Sequence, residues 1–100
     1  MFLRSLGKMM TEWLKALDQV VRSIPRGKTL SYAQVAMRAG KPGAARAVVR
    51  GLYALEGVPW WRVIRSDGTV AKEMVSRQAP KLKKEGVVLK GRRVPEENRL

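Results

Sequence analysis

The chain contains no cysteine and no histidine. The first absence removes disulfides, thiol nucleophiles and thiolate metal ligands. The second removes the side chain best suited to proton transfer near neutral pH, and with it the usual catalytic triads and Cys/His zinc sites. Acids are also scarce, with 8 Asp and Glu in 100 residues. They are scattered; Glu96 and Glu97 are adjacent but stand near the end of the sequence. No carboxylate cluster suits a catalytic magnesium, so neither a metal nor a cofactor is expected. No apolar run is long enough to span a bilayer, and Met1 to Met9 lack the apolar core of a signal peptide. A cytoplasmic location is therefore expected, nucleoid-associated if the source is prokaryotic.

What the chain has in excess is positive charge. Lys and Arg number 21, for a net charge of +13. A solvated surface does not need so one-sided a balance, and a polyanion, nucleic acid first, is the partner it suggests. An acidic membrane surface is the second inference, and the missing apolar span speaks against insertion. One hundred residues at 45% apolar content give one small domain over 1–100, expected as a monomer, with residues 1–10 as a lead-in and 95–100 as a frayed tail.

The apolar pattern then sets out the elements. Thr11 is a plausible N-cap, and Trp13, Leu14, Leu17, Val20, Val21 and Ile24 recur at helical spacing, which places Trp13 in the core. Pro25-Arg26-Gly27-Lys28 ends that helix. Ser31 is an N-cap for a second helix to Ala39 that buries Val35, and Gly40 ends it. A third helix starts near Gly43 and runs towards Leu55. Helix, glycine turn and longer helix make a helix-turn-helix pattern. Gly43, Ala44 and Ala45 are small enough to let a backbone approach a surface, and helix N-termini favour phosphate. Arg46 projects from that small-residue face, and Arg50 follows one turn later on the same side. The bland alternative is that alanines favour helix and the arginines are solvated; the net charge argues for the DNA reading.

The stretch Val58-Pro59-Trp60-Trp61-Arg62-Val63-Ile64 is the most demanding. Exposed tryptophan is costly, so the pair needs a cavity, a partner or a base to stack on. Two core tryptophans on opposite faces of a strand is the plain alternative. Beyond it, Ser66-Asp67-Gly68-Thr69 reads as a turn, Val70 as the start of a short strand, and Lys72 to Gln78 as a loop. Lys81 to Glu85 gives one or two helical turns around Leu82, ended by Gly86. Val87-Val88-Leu89, Gly91 and Val94 suggest a closing hairpin or wing. Arg92-Arg93 there either touch phosphate or solvate an edge.

Several of these segments, taken together and in order, resemble one family. Ile24-Pro25-Arg26-Gly27-Lys28, Ser31-Tyr32-Ala33-Gln34-Val35-Ala36, Ala44-Ala45-Arg46-Ala47-Val48, Pro59-Trp60-Trp61-Arg62-Val63-Ile64 and Glu85-Gly86-Val87 are similar to the DNA-binding domain of O6-alkylguanine-DNA alkyltransferases. The resemblance implies an α+β, mostly helical fold with a winged-helix-like helix-turn-helix. Those enzymes carry Pro-Cys-His-Arg, with the alkyl-acceptor cysteine where this chain has Trp60. Tryptophan there is the mark of the alkyltransferase-like members, which bind O6-alkylguanine without repairing it and pass it to nucleotide excision repair. The implied roles follow. Tyr32 presses on the target phosphate, and Arg46 fills the gap left by a flipped base. Ala44 and Ala45 let the helix sit in the minor groove, and Ser31, Lys41, Arg50 and Ser66 complete the DNA face. Trp60 walls the lesion pocket, with Val58, Pro59, Trp61 and Arg62 around it.

The chain departs from the family pattern in three ways. Trp61 replaces a histidine, the segment from Arg46 to Pro59 is short and lacks a hinge asparagine, and the 69–78 loop is shortened, with Lys72, Ser76 and Arg77 as candidates to close over the base. The leading expectation is a lesion sensor that does not catalyse alkyl transfer. A winged-helix regulator without lesion preference is the alternative, disfavoured because base readout needs polar side chains where this helix has alanines. An enzyme using lysine chemistry is the remotest reading.

Overall fold

A computed structural model describes the backbone of residues 2–100 and the side chains of residues 11–100. Helix α1 spans Phe2–Ser23. Thr11 therefore lies inside a helix rather than at its N-cap, because no proline precedes it to stop a helix. Leu17 and Val21 are fully buried along one stripe of α1, and Ile24, the residue just past its end, continues that stripe into the core, as the spacing requires.

Strand β1, Leu30–Ser31, leads directly into α2, Tyr32–Arg38. Ser31 closes a capping box: its hydroxyl accepts the Gln34 N–H at 3.1 Å, and the Gln34 side chain accepts the Ser31 N–H at 2.8 Å. At the other end Gly40, at φ +90°, donates to Met37, and Lys41 donates to Ala36. These bonds form a Schellman stop. Helix α3 spans Ala45–Ala54. It crosses α1 at Gly51, where a Cβ would collide with the buried Leu17 side chain. That glycine lets the two helices approach.

A single 3-10 turn, Trp60–Arg62, feeds β2, Val63–Ile64. β2 pairs in parallel with β1, Leu30 opposite Val63 and Ser31 opposite Ile64. Successive strand residues point to opposite faces, and here that alternation joins two cores. Val63 belongs to the first core with Leu17, Leu30, Val35 and Val48. Ile64 belongs to the second with Val70, Leu82, Val87 and Val94. Trp60 packs on the first and Trp61 on the second.

The C-terminal part corrects the sequence reading at several points. Lys72 to Gln78 is not a loop: a 3-10 turn, Lys72–Met74, runs into α4, Val75–Lys84. Pro80 inside α4 and a polar residue at the buried position Gln78 hide the pattern. Burial of Gln78 and Leu82, one helical turn apart, offsets the hydrogen bond that Pro80 removes. Pro95 to Leu100 is not frayed either. Thr29 N–H donates to Asn98 O at 2.8 Å, Leu100 N–H to Thr29 O at 3.0 Å, and the Gln34 side chain to Leu100 O at 2.8 Å. The tail thus extends the β1 edge, with Thr29 bridged to Arg99. The expected wing is a tight turn in which Lys90 and Arg93 exchange both backbone hydrogen bonds around Gly91. Val70 donates to Arg92 O instead of starting a strand. Among the described residues no helix is long and apolar enough to cross a membrane.

Candidate nucleic-acid interface

Helix α3 buries Val48 and Gly51 and turns Arg46, Val49, Arg50 and Tyr53 outward. These four share the i, i+3, i+4, i+7 face of one helix. Ala45 opens the helix and Ala44 caps it with no side-chain hydrogen bond, both half-buried. The helix start is thus backbone and methyl groups, with Arg46 as the first long side chain.

Next to this face lies a cavity of about 560 Å³, within the range of small-ligand sites, roughly 300–1,000 Å³. Its aromatic wall is Tyr32, Tyr53 and Trp60, backed by Leu52, Leu55 and Met74. Arg65, Glu73 and Arg77 supply charge, and Gln78 supplies a buried amide. Val49 and Tyr53 line the cavity from the helix face that carries Arg46. Tyr32, the first residue of α2, is half-buried. Burial, then the neighbouring Tyr53 and Glu73, push its phenol above the usual value of 10.0, against a smaller opposing pull from Arg65. The hydroxyl therefore stays protonated and able to donate to an anion.

Of the residues expected around Trp60, the others lie elsewhere. Val58 is buried in the first core, and Pro59 precedes the 3-10 turn without lining the cavity. Trp61 stands edge-on to Trp60, ring centres 6.0 Å apart and planes at 82°. Its indole N–H donates to Glu85 Oε2 at 2.9 Å. Arg62 turns the same way, donating from Nη2 to Glu85 Oε2 at 2.7 Å and from Nε to Oε1 at 2.9 Å, while its Nη1 holds the Ile24 carbonyl at 2.8 Å. Gly27 N–H donates to Glu85 Oε1 at 3.0 Å. Gly27 has φ +82°, and a Cβ there would meet the Glu85 carbonyl at 3.2 Å, which accounts for glycine in that turn. Lys81 Nζ lies 4.8 Å from the Trp61 ring centre. Trp61 and Arg62 thus fix the floor behind Trp60 rather than the pocket wall.

Burial alone would raise the pKa of Glu85. The hydrogen bonds from Arg62, Gly27 and Trp61, together with the Arg62 charge, outweigh it and lower the pKa from 4.5 to about 2. A carboxyl depressed in the folded state stabilises above its unfolded pKa and loses that contribution as pH falls. The domain should therefore hold its stability down to about pH 4.5 and lose roughly 3 kcal/mol between there and pH 2. Urea titrations across that window check this, and a flat profile would contradict it.

The remaining DNA-face residues fall at separate places. The Ser31 hydroxyl is occupied as a cap acceptor. Lys41 Nζ sits 4.7 Å over the Trp13 ring, and Arg50 is exposed on α3. Ser66 is exposed in the turn that follows β2, and with Ser31 it lines a second cavity of about 520 Å³ that also holds Arg65 and Arg99. Arg65 is shared by both cavities. The sequence alone does not single out Tyr53, Glu73, Gln78 or Arg99, and it marks Glu85 only within the Glu85-Gly86-Val87 segment, without a role. Of the first four, Tyr53 has a local signal, its seven-residue spacing from Arg46.

The family model of the 6-O-methylguanine DNA methyltransferase, DNA binding domain, matches residues 12–87. The chain is 40% identical over 83 residues to a DNA base-flipping protein of Vibrio parahaemolyticus, covering 78% of this chain and 83% of that one. It is 38% identical over 85 residues to alkyltransferase-like protein 1 of Schizosaccharomyces pombe, covering 78% and 79%. It spans 48% of a methylated-DNA–protein-cysteine methyltransferase of Methanothermobacter thermautotrophicus, at 44% identity. Among solved structures, S. pombe Atl1 in complex with damaged DNA containing O6-carboxymethylguanine superposes with a TM-score of 0.71 at 36% identity, over 77% of this chain and 78% of that one.

Proposed function

The chain belongs to the family of 6-O-methylguanine DNA methyltransferase DNA-binding domains, and from that premise we propose that it is a sensor of O6-alkylguanine in duplex DNA. It is not a cysteine alkyltransferase, because it has no thiol and Trp60 stands at the acceptor position. The observation that carries the proposal is the aromatic cavity beside α3, walled by Trp60 and contiguous with the helix face that presents Arg46.

In this reading the alanine-lined start of α3 lies in the minor groove and Tyr32 faces the phosphate of the target nucleotide. The base swings into the cavity, and the Arg46 guanidinium takes its place in the stack. Flipping costs a few kcal/mol, least where alkylation has already weakened pairing. Stacking on an aromatic side chain returns about 1–3 kcal/mol. An apolar wall adds about 0.8 kcal/mol per buried CH₂ of the adduct. Lys41, Arg50, Ser31 and Ser66 hold the backbone on either side. The protein acts as a monomer, and the protein-marked lesion passes to nucleotide excision repair, a step supported by the family resemblance.

An equilibrium titration at fixed salt, on two duplexes differing by one O6-methylguanine, tests this. Tighter binding to the modified duplex, with the methyl group intact in the recovered DNA, is expected. Equal affinities would reject the lesion reading in favour of a general DNA-binding module. Trp60→Ala should reduce the preference about 5- to 150-fold, the range set by one lost stacking partner, while leaving affinity for undamaged DNA close to wild type.

A further inference from the structure

The second cavity, about 520 Å³, is joined to the first at Arg65. It lies between the turn after β2, the start of α2 and the C-terminal tail, and it holds two guanidinium groups with weak partners. Arg65 stands 4.0 Å from Asp67, and both side chains are more than half exposed. Arg99 stands 3.6 Å from Glu96, whose side chain is 90% exposed. Neither distance is a hydrogen bond, and exposed ion pairs of this kind contribute little. The Arg99 side chain itself is only 24% exposed. Its Nε is buried and has no hydrogen-bond partner among the described residues. A guanidinium held partly out of water without an acceptor is costly unless an oxyanion completes it. The fold nonetheless fixes this one in place. Gly68, at φ +84°, makes room for it, because a Cβ there would overlap the Arg99 guanidinium. The tail is pinned beside β1 on either side of Arg99: Thr29 N–H donates to Asn98 O at 2.8 Å, and Leu100 N–H to Thr29 O at 3.0 Å. Nη1 thus rests on the Gly68 turn and Nη2 points towards Glu96, both residues of the cavity lining. Two hydroxyls add donors. Ser66 is exposed, and Ser31, whose oxygen accepts the Gln34 N–H, keeps its own proton to give.

We propose that this second cavity is a phosphodiester-binding site, in which Arg99 and Arg65 grip one backbone phosphate next to the target nucleotide. The proposal rests on the DNA docking described above and extends it to a residue outside the 12–87 segment that the family model matches. Ser31, on the cavity wall, directly precedes Tyr32, the residue set against the target phosphate. A neighbouring phosphate of the same strand therefore falls on this side. A forked guanidinium meets two oxygens of a phosphate at once, where an ammonium acts as a point charge. Glu96 is the one acidic side chain of the lining, and at 90% exposed it is free to turn into solvent as a phosphate enters. Arg99 is held by the Gly68 turn and the paired tail before any DNA arrives, so little ordering opposes the contact.

The test uses the O6-methylguanine duplex and its unmodified counterpart with wild type, Arg99→Gln and Arg99→Met. Methionine keeps an apolar stem on the Gly68 turn. Each variant should bind both duplexes about 10- to 150-fold more weakly, the effect of one hydrogen bond to a charged group, with the lesion preference unchanged. The plot of log affinity against log salt should become shallower by about 0.9 for the one lost phosphate contact. A scan then replaces the phosphates flanking the target nucleotide by neutral methylphosphonate, one at a time. One position should weaken wild type and cost the variants nothing further. An unchanged slope overturns the assignment, as does a scan with no position whose cost vanishes in the variants. Stabilisation of wild type by inorganic phosphate, with the DNA slope unmoved in the variants, would give the cavity to a free anion and overturn it as well. Should neither variant fold, wild type alone decides: the duplex should shield Arg99 from phenylglyoxal, and an unshielded Arg99 overturns the site. Lesion preference is read in the same titrations, so its absence in wild type rejects the sensor reading without moving the slope result.

Discussion

Glu85→Ala should destabilise the domain by about 3–5 kcal/mol, the usual cost of removing one partner from a buried ion pair. The Glu85 side chain is 3% exposed and that of Arg62 14%. Alanine would leave the guanidinium without its counter-charge. It would also strip the acceptor from the Trp61 indole and from Gly27 N–H. Small domains are stable by about 5–15 kcal/mol in total, so the variant is expected near the edge of folding at 37 °C. Urea unfolding with an unchanged slope and a lowered midpoint checks it. Arg62→Leu combined with Glu85→Met should cost less than Glu85→Ala alone, because an apolar pair leaves no charge stranded. A single-variant loss below about 1 kcal/mol would mean that the network is solvated in practice. Since the same network sets the floor behind Trp60, partial loss of lesion preference should accompany the loss of stability.

Arg46→Ala should weaken DNA binding about 30- to 100-fold without changing the unfolding midpoint. Arg46 is exposed on α3 and takes no part in the core among the described residues, so stability has no reason to move. Binding does, because nothing would then offset the few kcal/mol of the gap in the stack. Arg46→Lys should recover only part of the loss. An ammonium keeps the charge but not the flat guanidinium that stacks between bases. Repeating the titration at several salt concentrations separates charge from stacking: a deficit that persists at high salt belongs to the stacked plane. Full recovery by lysine would reassign Arg46 to a phosphate contact.

Much of the fold was legible because its signals are local. Ser31 and Gln34 meet across three residues, and the glycine stop after α2 follows from backbone sterics at one position. The apolar stripe of α1 needed only its own spacing. The failures came where distant partners override local preference. Thr11 has the chemistry of a cap, but the helix starts before it. Pro80 argues against a helix that Leu82 and Gln78 nonetheless bury. The tail from Pro95 looks featureless until Thr29 and Gln34 pair with it, more than sixty residues away in sequence.

The candidate site divides along the same line. Composition alone excluded thiol chemistry and indicated a polyanion, since no arrangement in space can supply a missing cysteine or cancel a charge of +13. The linear motifs were enough to single out Trp60, Tyr32 and Arg46. The direction of each neighbouring side chain depended on partners that no spacing rule links. Trp61 and Arg62 turn from the cavity because a carboxylate 24 and 23 residues downstream satisfies their donors out of water. Gln78 faces the cavity because two carbonyls of the Trp turn and β2 hold its amide. Buried polar groups go where their hydrogen bonds are, and where those lie is decided only when the chain has folded.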